Sequence, residues 1–376
     1  MIFWSFGPDT RLNHRQSLSA GCERVYAKCR WVRMGDQVTQ LEFLAKLQRI
    51  LNEGLFTASY KYALILAIAE LSVEKTDGKD GTLHLPLEEI ADRFVGLYWR
   101  QAEPFAGKSF LHHNTGREAS AVTRVRAFQQ HAGTLAAARN HARWPALVRS
   151  ISALLVQMPL WKLQRVGADK LDFLYEEKLV DDGIMLRAGV AECFRQQFPV
   201  VQALVQMAWL SFIQRLPANR PVLGSTGDLA DFLFGSERSG LSAIVDGLRD
   251  LQHGECFYCR GRLRETIEVD HFIPWSRYPR DFGHNFVLAH GACNQDKRDM
   301  LAAPSHLARW VERNDDQHAV LQQIFDEARF VHDLDASHTV AEWAYETVER
   351  AGGLVWVQRR GQTEHLTAEW RRIFSI

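Results

Sequence analysis

The chain has 376 residues, 46% of them apolar and 24% charged, a balance that excludes a disordered or fibrous protein. Its 45 Lys and Arg are matched by 45 Asp and Glu, so there is no whole-molecule positive field, and contact with nucleic acid has to come from local patches. The longest apolar stretches, such as Val200 to Ile213, are interrupted by Gln202 and Gln206 and are too short to cross a bilayer.

Met1 to Arg33 carries Arg11, Arg15, Arg24, Lys28, Arg30 and Arg33 against only Asp9 and Glu23, with no clear apolar period. Residues 1–33 are expected to be an unstructured extension, and Met34, followed at once by a helical pattern, reads as the true start of translation. A targeting or nucleic-acid arm is the rival reading, weakened because the apolar core of a signal peptide is missing. Of six cysteines, only Cys256, Cys259 and Cys293 fall in a recognisable spacing. A cytoplasmic protein without disulfides is expected.

Residues 34–220 read as a helical domain that could bind nucleic acid or a partner. Leu44, Leu47, Ile50 and Leu51 recur at helical spacing, and Asn52-Glu53-Gly54 supplies a stop. A second helix is expected over Ala58–Val73, and Pro86 with Glu88 and Glu89 opens a third toward Trp99. Between Ala119 and Ala168 there is no Asp or Glu, while Arg124, Arg126, Arg139, Arg143, Arg149, Lys162 and Arg165 are all present. Two readings stay open: a basic face for a phosphate backbone, or arginines paired with the acidic run Glu176, Glu177, Asp181 and Asp182. A long helix from about Val190 to Leu216 should end at Pro217, and the Pro- and Gly-rich stretch that follows marks a boundary near residue 220.

Within residues 221–303, Leu241, Ile244, Val245, Leu248 and Leu251 form one apolar face of a short helix closed by His253-Gly254. Cys256-Phe-Tyr-Cys259 then places two thiolates across a tight turn, and His290-Gly-Ala-Cys293 repeats the two-residue gap. Four such ligands suit a closed, tetrahedral zinc site that serves structure. His253 is a rival ligand; His290 is preferred because it pairs with Cys293. A metal clip is expected to matter here, since Cys256 to Met300 looks too short and polar to be held by a hydrophobic core alone.

Between the half-sites, Ile267-Glu-Val-Asp-His271 is an extended segment stopped by Pro274, His284 to Leu288 is a second short strand, and Gly291 to Met300 turns helical. Past Met300, helices are expected over Ser305–Arg313, Asp316–Phe330, Val340–Arg350 and Thr367–Phe374, making 304–376 a C-terminal helical region. Trp310, Trp343 and Trp370 read as its core residues.

The segment Cys256 to about Met300 resembles the HNH endonucleases, on Asp270-His271, Asn285, Asn294 with Lys297 three residues on, and the interleaved zinc pairs in that order. The resemblance implies a ββα-metal fold, so the whole chain is expected to be mainly α, with a zinc-braced nuclease unit between helical regions. It also implies hydrolysis of DNA, duplex by default, leaving a 5′-phosphate and a 3′-hydroxyl. The residue types suit that reaction. Asp270 and Asn294 are hard oxygen ligands for Mg²⁺ or Mn²⁺, and Asn rather than His at 294 favours such an ion over zinc. His271 has the pKa range of a general base. By resemblance, Asn285 holds the loop around His271. Lys297 and Arg298 are candidate phosphate contacts. RNA or single-stranded DNA as substrate, a catalytically silent zinc module, and a nuclease awaiting an effector or protein partner in a restriction or anti-phage system are the alternatives.

Overall fold

A computed structural model describes residues 39–107, 109–116, 118–223, 228–235, 241–264 and 266–374. The expectations for residues 1–33 lie outside them. Among the described residues are sixteen α-helices and five two-stranded sheets, so the protein is mainly α. No helix is long and apolar enough to cross a membrane.

Helix Gln40–Glu53 is capped by the Thr39 side chain, which accepts from the Glu42 N–H at 3.3 Å, and buries Phe43, Leu47 and Ile50. Helix Tyr60–Glu74 is apolar all round and correspondingly buried along its length. Leu87–Trp99, Val190–Gln196, Phe198–Arg215 and Leu334–Arg350 pack around it. The single long helix expected over 190–216 is two, because Pro199 sits in the first turn of the second and cannot continue the first. Leu83–Pro86 pairs antiparallel with Gly183–Leu186, a contact between distant four-residue strands that leaves no periodic trace in sequence.

The acid-free stretch lies mainly in helices Ser120–Gln129 and Trp144–Gln157. Arg126 pairs with Glu118 and Arg139 with Asp92, both outside the run, while Arg165 pairs with Glu177 as one reading expected. Arg124 donates to the Ser150 carbonyl at 2.5 Å. The run is therefore largely committed to internal bonds.

After helix Val245–Leu251 come strand Ile267–His271, strand Phe286–His290 and helix Gly291–Lys297. The strands run antiparallel, with Ile267 opposite His290 and His271 opposite Phe286. This is the strand, strand, helix order read from sequence. The unit is not held by metal alone: Phe257, Tyr258, Phe272, Tyr278, Phe282 and Val287 are buried in the main core. Phe272 stacks on Trp310 at 5.1 Å, and the Trp310 indole donates to the His284 carbonyl at 3.0 Å. Trp310, Trp343 and Trp370 are all buried.

Helices Pro304–Asp316, His318–Glu327 and Leu334–Arg350 follow, the last longer than expected. Two departures follow it. Leu354–Gln358 and Gln362–His365 form a hairpin, and Ala368–Phe374 is 3-10 rather than α. The hairpin grips the ββα unit, since Trp356 donates to Asp296 at 2.9 Å and its carbonyl accepts from Ala303 at 2.7 Å.

Candidate active site and metal centre

His253 and Gly254, both at positive φ, turn the chain out of helix Val245–Leu251 and into the cysteine turn. The Cys256 N–H donates to the Gly261 carbonyl at 2.8 Å and the Arg260 N–H to the Cys256 carbonyl at 3.0 Å, closing the turn. His290 ends the second strand and Cys293 lies in the first turn of the next helix. The ligand atoms of Cys256, Cys259, His290 and Cys293 all lie within 4.8 Å of one another. His290, not His253, completes the group. Its Nε2 bonds the Arg262 carbonyl at 3.0 Å, which fixes the hydrogen there and turns Nδ1 toward Cys259 Sγ, 3.3 Å away. Burial, and then the charges of Cys256 and Cys259, push the Cys293 thiol up to about 12, a penalty that a bound divalent cation inverts by drawing the thiolates to itself. Three sulfurs and an oriented imidazole are the donor set of a structural zinc.

Three of the four candidate catalytic residues, Asp270, His271 and Asn294, line an open cleft of about 620 Å³ along the strand Ile267–His271, where they meet Glu268, Asp281 and Arg298, while Asn285 is buried beside it. Asp270 is nearly buried, and its Oδ2 accepts from Tyr258 at 2.5 Å and from Lys297 at 2.9 Å. Its Oδ1 has no hydrogen-bond partner among the described residues. Asn294 donates its amide to Glu268 at 2.8 Å, which leaves its own oxygen uncommitted. Burial, then the Asp270 charge, raise the Tyr258 hydroxyl well above its ordinary range, so it stays a donor.

His271 Nε2 lies 2.6 Å from Asp281 Oδ1, with the ring edge-on to Phe286 and Trp275. A carboxylate can only accept, so Nε2 carries the hydrogen and Nδ1 is left as the basic nitrogen. The Asn285 side chain accepts from the Ile273 N–H at 2.7 Å and donates to the Ile273 carbonyl at 2.9 Å, while its carbonyl accepts from Phe272. It thereby clamps the turn that follows His271.

Lys297 is fully buried, its ammonium bonded to Asp270 and to the His271 carbonyl. It stands behind the carboxylate instead of facing the cleft where a phosphate would lie. Arg298, at positive φ, is exposed on the cleft wall.

Three residues of the site escaped the sequence reading. Glu268 shares a strand face with Asp270, a signal that period-two alternation carries. Tyr258 looks like a spacer between two cysteines, and Asp281 sits in an aperiodic loop ten residues past His271, so neither had a local signal.

A metal-capable cysteine cluster bracing a ββα unit, with an Asp-His pair ending its first strand, defines a nuclease-type centre. Residues 258–303 match the family model of the HNH endonucleases, so the chain carries an HNH endonuclease domain. No curated protein and no solved structure matches the chain.

Proposed function

We propose that this chain is a metal-dependent endonuclease that hydrolyses phosphodiester bonds of DNA, with His271 as general base. The observation that carries the reading is the His271–Asp281 pair, which orients the imidazole at the wall of a cleft rich in oxygen ligands. His271 Nδ1 takes a proton from the attacking water, and Asp281 steadies the imidazolium that results. Asn285 holds the ring's position through Ile273. Lys297 and Tyr258 fix Asp270 by its Oδ2, so that Oδ1 points its charge outward. Arg298 meets a non-bridging phosphate oxygen from the exposed side.

The uncommitted oxygens of Asp270 and Asn294, with Glu268 beside them, suit Mg²⁺ or Mn²⁺, and these residues would hold it. Such an ion, when bound, stabilises the charge that builds on the phosphate and the leaving oxygen. The zinc of the cysteine cluster is a separate, structural ion. The extensive helical remainder supports a nuclease whose activity is governed by an effector, as in restriction or anti-phage systems.

The test is cleavage of plasmid, single-stranded DNA and RNA, end-labelled, across a metal series, with His271→Ala alongside. Magnesium- or manganese-dependent cutting that His271→Ala abolishes is expected. Cutting that survives the substitution removes His271 from the mechanism.

A further inference from the structure

The catalytic cleft is acidic within, since Glu268, Asp270, Asp281 and Asp299 line it against His271 and Arg298, and a chain with no net charge supplies no field to draw a polyanion into it. Cations at its rim have to do so. The hairpin of Leu354–Gln358 and Gln362–His365 turns at Arg359-Arg360-Gly361, outside residues 258–303 that match the nuclease family. Its tip is fixed beside the cleft. The Gly361 N–H donates to Asp296 Oδ2 at 3.1 Å and the Trp356 indole to the same oxygen at 2.9 Å, two residues before Arg298 on the cleft wall. The Trp356 and Gly361 bonds, then the charges of Arg298 and Arg359, hold the Asp296 carboxyl below its ordinary range, so both guanidinium groups stand near one carboxylate.

Nothing inside the molecule accounts for these arginines. Arg298, Arg359 and Arg360 are exposed, and among the described residues their guanidinium groups have no ion pair or hydrogen bond at bonding distance. Asp296 has committed Oδ2 to the hairpin, and Asp299 is shared with Arg277, which donates to its carbonyl at 3.2 Å. Two of the three also sit where the backbone favours another residue. Arg298 has φ 51° and ψ −132° just past the end of helix Gly291–Lys297, and Arg360 has φ 74° in the turn; glycine or asparagine takes such positions at least cost. An arginine kept at both, exposed at the edge of an acidic cleft, answers to a partner outside the chain.

We propose that Arg359 and Arg360, with Arg298, grip the backbone of the nucleic-acid strand that lies in the cleft, on phosphates flanking the one that is cut. The inference rests on the nuclease reading above. A guanidinium fork meets phosphate oxygens with paired N–H donors, and the three side chains have no internal acceptor to give up first. Phosphate carries no base identity, so the contact adds affinity and register without sequence preference, and DNA and RNA strands share it. Asn294 lies one helical turn before Arg298, so the catalytic oxygens and the basic rim act on neighbouring stretches of one strand.

The test is the salt dependence of binding by the full chain. Fluorescein-labelled duplex DNA, single-stranded DNA and RNA are titrated by anisotropy at a series of salt concentrations, without added magnesium or manganese. The variants are Arg359→Gln and Arg360→Asn, the second suited to the positive φ, with Arg149→Gln removing the same charge from an exposed position of helix Trp144–Gln157. Each hairpin variant should lower the slope of log Kd against log salt by about one on every nucleic acid that the chain binds. Arg149→Gln should leave the slope in place, and Arg360→Asn should keep or raise Tm. An unaltered slope in either hairpin variant, an equal loss in Arg149→Gln, a fall of Tm in Arg360→Asn, or a chain that binds none of the three overturns the inference. A chain that cuts DNA with its slope indifferent to the hairpin defeats the inference alone. One that binds through the hairpin and cuts nothing defeats only the nuclease reading.

Discussion

Replacing Lys297 by Met tests whether this lysine is a buried brace or a phosphate contact. The ammonium is fully buried and lies 2.9 Å from Asp270. Removing one partner of such a pair costs about 3–5 kcal/mol, because the other charge is stranded without compensation. Asp270 keeps the Tyr258 hydroxyl and a small opening to the cleft, which places the loss at the lower end, about 3 kcal/mol. With an unfolding entropy near 2.1 cal/mol/K per residue, a chain of this length should lose about 4 °C in Tm. Adding Asp270→Asn removes the stranded charge and should recover most of the loss. Thermal unfolding of the wild type, both single variants and the double variant forms the cycle that isolates the pair. If Lys297→Met leaves Tm unchanged and raises only KM, the brace is refuted and the lysine faces substrate.

Asp281→Asn should lower kcat by about ten- to a hundredfold with KM unchanged, since it loosens the histidine without touching substrate; a change confined to KM would contradict the positioning role. Cys256→Ser and Cys293→Ser should lose zinc and thermal stability together, while the buried aromatic residues of the unit preserve the far-ultraviolet spectrum. Unchanged zinc stoichiometry in the purified variants would dismiss the metal centre. His113 and His284 are each pushed down to about 3, by burial first and then by Arg126 and Arg313 respectively. The folded chain therefore takes up their protons later than the unfolded one. Stability should be full above about pH 6.5 and fall below it by about 1.4 kcal/mol per pH unit for each histidine. His113→Asn should make urea-unfolding curves measured between pH 7 and 5 less pH-dependent, and an unaltered slope would exclude His113 as a source.

Much of the centre was legible in the chain because its ligands come in short, rigid spacings. Two-residue gaps bring Cys256 to Cys259 and His290 to Cys293 through local turns, and the strand and helix bearing Asp270, His271 and Asn294 announce themselves by period. The dominant helix Tyr60–Glu74 was expected as well, although it is apolar all round and shows as a long apolar run and not as a period. What stayed hidden depends on tertiary placement. Whether Lys297 faces inward follows from the packing of its helix on the first strand, which a single periodic sequence does not specify. Asp281 reaches His271 only because its loop is held from elsewhere, and the hairpin at Leu354–Gln358 lies in a stretch too brief to outweigh its helical surroundings.

Tyr278 donates to Glu74 at 2.5 Å and packs on Phe198 at 5.6 Å, so the loop that ends in Asp281 is moored to the central helix some two hundred residues upstream. The nuclease motif is consequently not a detachable cassette. Cut out at its sequence limits, it would keep every metal ligand and still lose the mooring that sets its histidine.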